Sequence, residues 1–315
     1  MRAAFLAGML LVVSADRALA QSWRPPSESE RCPSKWGPQD QRGAGNLMTP
    51  QTVLRAARLI GTGEIIELGH VLHSAMPFFP GRHLDILTKR TNVLPQSNNR
   101  ISNEEMVIGE LGQIGTQFDG FSHQGIGNSF YNCFSQDDIA TRTGFAKLGV
   151  EQVGGLMTRG VLLDIAALKG VEMLPDAYEI TAQDLQAALT RQHLTLEAGD
   201  AVIVHTGWGA LWEKDNARYT KTDPGIGVGA AEWLATQRPL LVGSDNWSVE
   251  VNPSPDPQIS SPVHQIMLAV NGIHLLESMK LDELAAQRIY EFALIVQPLK
   301  LKGATGSTVA PIAIH

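Results

Sequence analysis

Asp119 and His123 stand four residues apart in Gln113-Ile-Gly-Thr-Gln-Phe-Asp-Gly-Phe-Ser-His123, and the carboxamides of Gln113 and Gln117 are spaced evenly upstream. An acid and an imidazole this close suit a divalent metal such as zinc or manganese. The glutamines fit less well, because a neutral amide oxygen is a poor ligand for zinc. In a strand, Gln113, Gly115, Gln117 and Asp119 would share one face. Gly115 and Gly120 allow backbone angles that other residues resist, so the segment is expected to be a strand running into a tight turn. His264 and Glu277 form a second pair, with the turn signal Asn271-Gly272 between them. A hairpin-like reversal there would bring the two together. Glu277 sits in the apolar run Leu275-Leu276-Glu277-Ser278, where a buried acid needs a partner or a metal. Taken alone, it reads as an exposed or ion-paired glutamate. Asp245 and Trp247 follow another strand-like run and are expected to line the same cleft.

The elements that must position these residues are read from periodicity. Thr49 caps a helix over 51–60, with Pro50 at its first position. Strand-like runs cover 65–72, 105–108, 160–165, 201–205, 240–243, 264–270 and 289–296. Helical patterns cover 181–190, 230–237 and 281–286. The irregular order predicts an α+β fold in a single compact domain with a mixed or antiparallel sheet. Among the other histidines, His193 and His315 read as solvent-exposed and His205 as a structural residue at a strand end. His70 and His73, three apart, fall on opposite faces of a strand.

Bulk properties exclude several classes of function. Hydrophobic residues make up 43% and charged residues 18% of the 315-residue chain, as in an ordinary globular protein. A net charge of -7 with no basic block argues against nucleic acid or an anionic membrane surface as partner. Arg2, the apolar run Ala3 to Val13 and Ala18-Leu19-Ala20 read as a secretory signal peptide over 1–20, with cleavage after Ala20. With no twin arginine the general secretory route is expected, and a periplasmic or secreted mature protein. Residues 21–35 are rich in Ser, Pro and charge and are expected to be a disordered lead-in to a domain over 36–315. Cys32 and Cys133 are equally open to pairing or to remaining thiols. There is no Gly-x-Ser-x-Gly elbow for a serine hydrolase. Gly225-Ile-Gly-Val-Gly229 lacks the lysine of a phosphate loop.

Gly115-Thr116-x-x-Asp119-x-x-x-His123 resembles the core of the metal-dependent cyclase/hydrolase family that includes bacterial kynurenine formamidase and isatin hydrolase. That family's signature is His-x-Gly-Thr-His-x-Asp-x-Pro-x-His. Trp36-Gly37-Pro-Gln-Asp40-Gln-Arg42-Gly43-Ala-Gly-Asn46-Leu, Met76-Pro77-Phe-Phe-Pro80-Gly81, Thr206-Gly207-Trp208, Gly243-x-Asp245 and the closing Pro298 to Ser307 are similar to its further motifs, in the same order. The resemblance implies a swivelling β/β/α-like core, assembly as a homodimer or homotetramer, and hydrolysis of an amide, formamide, cyclic imide or lactone by metal-activated water. Gln113 and Gln117 replace the first two histidines of the signature and Phe121 its proline. The Gly-Thr-Gln-x-Asp form is a recurring variant within the family. It implies one divalent ion, Zn or Mn, in place of two.

On this reading Asp119, His123 and Glu277 hold the ion, and Gln117 adds a weak amide ligand or orients water. His264 transfers the proton, and Glu277 shares in the catalytic work. Gln113, Phe78, Phe79, Trp208, Asp245 and Trp247 would line a pocket for a small ring-bearing substrate. Two rival readings are a metal-free binding or structural protein on the same scaffold and a hydrolase specific for lactones or esters. Cleavage of a C–N bond in a linear or cyclic amide is the favoured chemistry.

Overall fold

Apolar runs at 161–163, 201–204, 241–242 and 275–276 form the centre of a nine-stranded mixed sheet. The computed structural model describes residues 22–93, 98 and 100–315. The signal-peptide reading of residues 1–20 lies outside them. In chain order the strands are β1 (Ile65–Glu67), β2 (Leu84–Val93), β3 (Ile101–Gly109), β4 (Gln117–Asp119), β5 (Leu156–Asp164), β6 (Ala201–His205), β7 (Leu241–Ser244), β8 (His274–Glu277), β9 (Glu291–Val296), β10 (Gly306–Thr308) and β11 (Ile312–Ile314). The sheet order is β1-β11-β9-β5-β6-β7-β8-β4-β10. Strands β5 to β8 run parallel, and the flanking pairs are antiparallel. The result is the α+β class with a mixed sheet that the sequence led us to expect. Among the described residues, strands β2 and β3 pair only with each other, as a hairpin that leaves Ile86, Leu87, Met106 and Val107 exposed.

Burial on both faces of the parallel strands explains their nearly continuous apolar sequences. Val161, Leu163, Val202, Val204, Val242 and Leu275 point to one core. Leu162, Ala201, Ile203, Leu241 and Leu276 point to the other. The seven labelled helices are α1 (Glu28–Arg31), α2 (Pro50–Ala57), α3 (Ile165–Lys169), α4 (Ala182–Gln192), α5 (Val228–Gln237), α6 (Pro262–His264) and α7 (Asp282–Gln287). Helices α3 to α5 cover the first core, and α7 contributes Leu284 to the second. Thr49 and Thr181 cap α2 and α4 as their sequences require, with Pro50 opening α2 and Asp184 closing a capping box in α4. Among the described residues no helix is long and apolar enough to cross a membrane.

Three expectations about elements are corrected. The run 264–270 is not a strand: α6 continues through a π-helical segment, Gln265–Asn271, whose Ile266, Met267 and Leu268 are buried. A fully buried apolar run carries no periodicity to separate helix from strand, and its length favoured the wrong one. Strand β4 spans only Gln117–Asp119, because Gln113 lies in a turn closed on Glu110 and Gly115 takes a left-handed φ of 62°. The segment before residue 36 is packed where it was expected to be disordered. Within it α1 buries Arg31 against Ser129, Cys32 forms a disulfide with Cys133, and Ser34 N–H donates to Asn132 Oδ1 at 2.7 Å. These anchors outweigh a composition biased toward disorder.

The next segment works as a clamp. Asp40 accepts from Gly43 N–H (2.9 Å), Asn46 Nδ2 (2.7 Å) and the Tyr131 hydroxyl (2.7 Å). Ala44 N–H then donates to Gly272 O at 2.6 Å, tying this turn to the end of the π-helical segment. A Cβ on Gly43 would lie 2.3 Å from Gly272 O and 2.5 Å from the Phe121 ring, and its φ is 53°. Only glycine fits there.

Candidate metal-binding active site

The Gly115-Thr116 step sets the depth of β4. A Cβ on Gly115 would lie 2.2 Å from Leu72 Cδ2, and Thr116 Oγ1 donates to Ser278 O at 2.6 Å, pinning the strand against the end of β8. Antiparallel register then places Gln117 opposite Glu277. Gln117 Nε2 donates to Glu277 Oε2 at 2.5 Å, and Glu277 Oε1 lies 3.1 Å from His264 Nε2. Asp119, fully buried, points its Oδ2 at the same place, 3.6 Å from His264 Nε2 and 3.9 Å from His123 Nε2. Gln113 Nε2 donates to the other Asp119 oxygen at 3.2 Å. The two sequence pairs therefore converge, although a helix rather than a hairpin makes the reversal between His264 and Glu277.

The ligand atoms of Asp119, His123 and His264 lie within 4.8 Å of one another. Two imidazoles and a carboxylate are a donor set used for catalytic divalent ions. Asp119 Oδ2 is buried with no hydrogen-bond partner, an arrangement that costs free energy unless a cation or proton takes it up. The residues present therefore fit a single divalent ion. His264 joins Asp119 and His123 in this group, while the oxygens of Glu277 are hydrogen-bonded to Gln117 and His264.

His264 is held from behind by Glu250, a residue that no sequence motif singled out. Glu250 Oε1 is hydrogen-bonded to His264 Nδ1, and Oε2 accepts from Val263 N–H at 3.0 Å. Burial disfavours charge on His264, but the carboxylates of Glu250 and Glu277 overcome it and hold its pKa well above the usual histidine value. Burial, reinforced by the charge of Asp119, pushes Glu277 up to about 7. His123 is lowered, mainly by burial, with the charges of His264 and Arg82 acting in the same direction against Asp119. Non-glycine residues with left-handed φ flank the site: Val249 (60°), Ser261 (47°) and Ser278 (50°).

The site opens into a cleft with a wide lobe of about 510 Å³ and a narrow one of about 30 Å³. Phe79, Arg82, Gln113, Gln117 and Trp247 line both, and Phe78 lines the narrow lobe. Two pocket assignments are corrected. Trp208 is wholly buried, with Nε1 donating to Tyr219 O at 3.2 Å. Asp245 is turned away by Thr206, whose N–H and hydroxyl donate to Oδ1 at 2.8 and 2.7 Å. It borders a separate cavity with His70 and His205, and His205 pairs there with Asp164 at 2.8 Å. Phe121, in the place of the signature's proline, stacks on His274 with centroids 4.0 Å apart, so it acts as a packing residue as well as a change in turn stiffness.

The profile of the Cyclase family matches residues 66–251. No match to a curated protein was found. A solved structure described as a novel cyclase is 35% identical, with a TM-score of 0.82 over 89% of this chain and 98% of that one. Isatin hydrolase A from Ralstonia solanacearum is 21% identical, with a TM-score of 0.59 over 84% of this chain and 97% of that one. A protein described as a predicted metal-dependent hydrolase from Bacillus stearothermophilus is 17% identical, with a TM-score of 0.51 over 79% and 97%. The last two share the fold. With more than half of its length matched by the profile and a 35% identical structure over most of the rest, this chain belongs to the Cyclase family.

Proposed function

We propose that the protein is a metal-dependent hydrolase that opens a linear or cyclic amide. The observation that carries this reading is the Asp119, His123 and His264 donor set beside a buried glutamate at the floor of a cleft sized for a small ring-bearing molecule. Membership of a family whose solved relatives include an isatin hydrolase supports it. A divalent ion held by these three residues would supply an activated water and a polarised carbonyl. Glu277, its pKa raised by burial, takes up the attacking water's proton and returns it to the leaving nitrogen. Gln117 aims the Glu277 carboxylate, and Glu250 fixes His264. Phe78, Phe79 and Trp247 give the substrate an apolar wall. The Cys32–Cys133 disulfide supports an oxidising, exported setting for the mature chain.

The test is metal analysis of the purified mature protein together with an assay panel of formamides, cyclic imides and lactones, each with zinc and with manganese. We expect close to one ion per chain, and amide turnover ahead of lactone turnover. Asp119→Ala should lose both metal and activity, the latter by more than about a hundredfold. Full activity in Asp119→Ala would overturn the proposal, as would less than about a tenth of an ion per chain in the purified protein.

A further inference from the structure

Arg82 stands on the wall shared by both lobes of the cleft, half-buried, in the loop that leads into β2. Its Nη1 donates to Gln113 O at 2.7 Å, and its guanidinium carbon lies 5.3 Å from the centroid of the Phe79 ring. Among the described residues no carboxylate lies within ion-pair distance of it. Glu110, beside it at the same open end of the hairpin, is committed to His83, accepting from its N–H at 2.7 Å and lying 3.3 Å from its Nδ1. The acids that line the cleft, Glu250 and Glu277, are buried and engaged with His264 and Gln117. A guanidinium offers a planar fork of N–H groups matched to a carboxylate, and here most of that fork is unclaimed.

Two neighbours sharpen the chemistry. Trp247 packs against Phe79 with centroids 4.8 Å apart, and its Nε1 is a buried donor without a partner. The cleft wall thus presents an aromatic pair beside the unused donors of Arg82. Gln113 connects the wall to the floor, since its carbonyl accepts from Arg82 and its amide donates to Asp119. A group held by Arg82 therefore sits one side chain away from the candidate metal ligands.

We propose that Arg82 is a specificity-determining residue that binds a carboxylate carried by the substrate, so that the site selects anionic, ring-bearing amides over neutral ones. The proposal rests on the hydrolase reading for the fate of the bound compound, but not for its binding. Hydrolysis of an amide also creates a carboxylate, and the experiment must tell that source from one already on the substrate.

Titration calorimetry with benzamide, benzoate, and the three benzene dicarboxylates (phthalate, isophthalate, terephthalate) separates them, using wild type, Arg82→Gln and Arg82→Lys. In chelator-treated wild type, benzoate should bind about tenfold more tightly than benzamide, the scale of one charge-assisted hydrogen-bonded contact. Arg82→Gln should erase that preference, and Arg82→Lys should keep part of it. In metal-loaded wild type at least one dicarboxylate should bind roughly tenfold better than benzoate, because one carboxylate meets the floor and the other the wall. Arg82→Gln should remove this advantage while leaving benzamide unaffected. The proposal fails if no dicarboxylate gains over benzoate, if the gain survives in Arg82→Gln, or if that variant weakens benzamide equally. Arg82-dependent benzoate binding in a protein that retains no metal and turns nothing over would sink the hydrolase reading and leave this one standing.

Discussion

At the scale of single residues, Glu250 decides which nitrogen of His264 faces the cleft. A carboxylate that accepts the Nδ1 proton leaves Nε2 directed at Asp119 and Glu277. The second Glu250 oxygen is bound to the main chain one residue before His264, so acid and imidazole move as one unit. The preceding residue, Val249, sits in the left-handed region, a conformation that costs a β-branched side chain about 1–3 kcal/mol and is held by Asn246 Oδ1 accepting from Val249 N–H at 2.8 Å. Strain tolerated next to a buried acid argues for a working position. We expect Glu250→Gln to fold with an unchanged near-ultraviolet spectrum and to lower kcat by roughly 10–100-fold, with KM changed far less. Activity within twofold of wild type would show that His264 needs no such support. Glu250 was legible in principle: it stands between Val249 and Val251, the same acid-in-apolar signal that picks out Glu277. Asp245 was picked out by a different signal, its place after a strand-like run, and proved to be turned away by Thr206, a contact across strands that no local pattern encodes. Arg82, flanked by Gly81 and His83, carried none.

At the scale of elements, local physics made the capped helices and the doubly buried strands readable, and tertiary constraints decided the rest. Thr49-Pro50 and Thr181 through Asp184 are self-contained signals, and both helices begin where those signals place them. Strand β6 matches its expected bounds because its apolar run ends at a polar turn. The helix through His264 was misread because its buried apolar run carries no period, and the N-terminal segment because what orders it lies far away in the chain. For the N-terminal segment the distant partner is Cys133, 101 residues beyond Cys32. A cross-link closing a loop of that length removes conformational entropy from the unfolded chain worth about 4–5 kcal/mol in the chain-entropy account. The clamp built by Asp40 and Gly43 follows directly after it and meets the end of the His264 helix at Gly272. Cys133→Ser should therefore lower unfolding free energy by about 3–5 kcal/mol in denaturant titrations under oxidising conditions. Wild type in reductant should fall to the same level. A loss below about 1 kcal/mol would mean that the segment is held mainly by its hydrogen bonds.

At the scale of the whole molecule, acid stability should be governed by histidines that fold neutral. His70 lies flat on Trp212, with centroids 4.0 Å apart, and its buried Nε2 has no partner. Burial pushes it down to about 4, against the pull of Asp282, Glu213 and Asp245 and with the help of Lys280. A histidine whose folded pKa lies below its unfolded value near 6.5 stabilises the fold above 6.5, and that contribution is lost as pH falls through about 4. Between pH 7.5 and 5 the expected loss from this one group is about 2 kcal/mol, at about 1.36 kcal/mol for each pH step below its unfolded value. His274, also pushed down to about 4 by burial, adds a similar acid-side loss. It is common to wild type and to any variant at position 70, so it cancels in a comparison. His70→Phe keeps the stack on Trp212 and removes the titrating group. Urea unfolding of both proteins at pH 7.5 and pH 5 should show wild type losing about 2 kcal/mol more than His70→Phe across that interval. Parallel losses in the two proteins would mean that His70 reaches water before the fold as a whole gives way, placing the acid sensitivity in local opening around the cavity it shares with Asp164, His205 and Asp245.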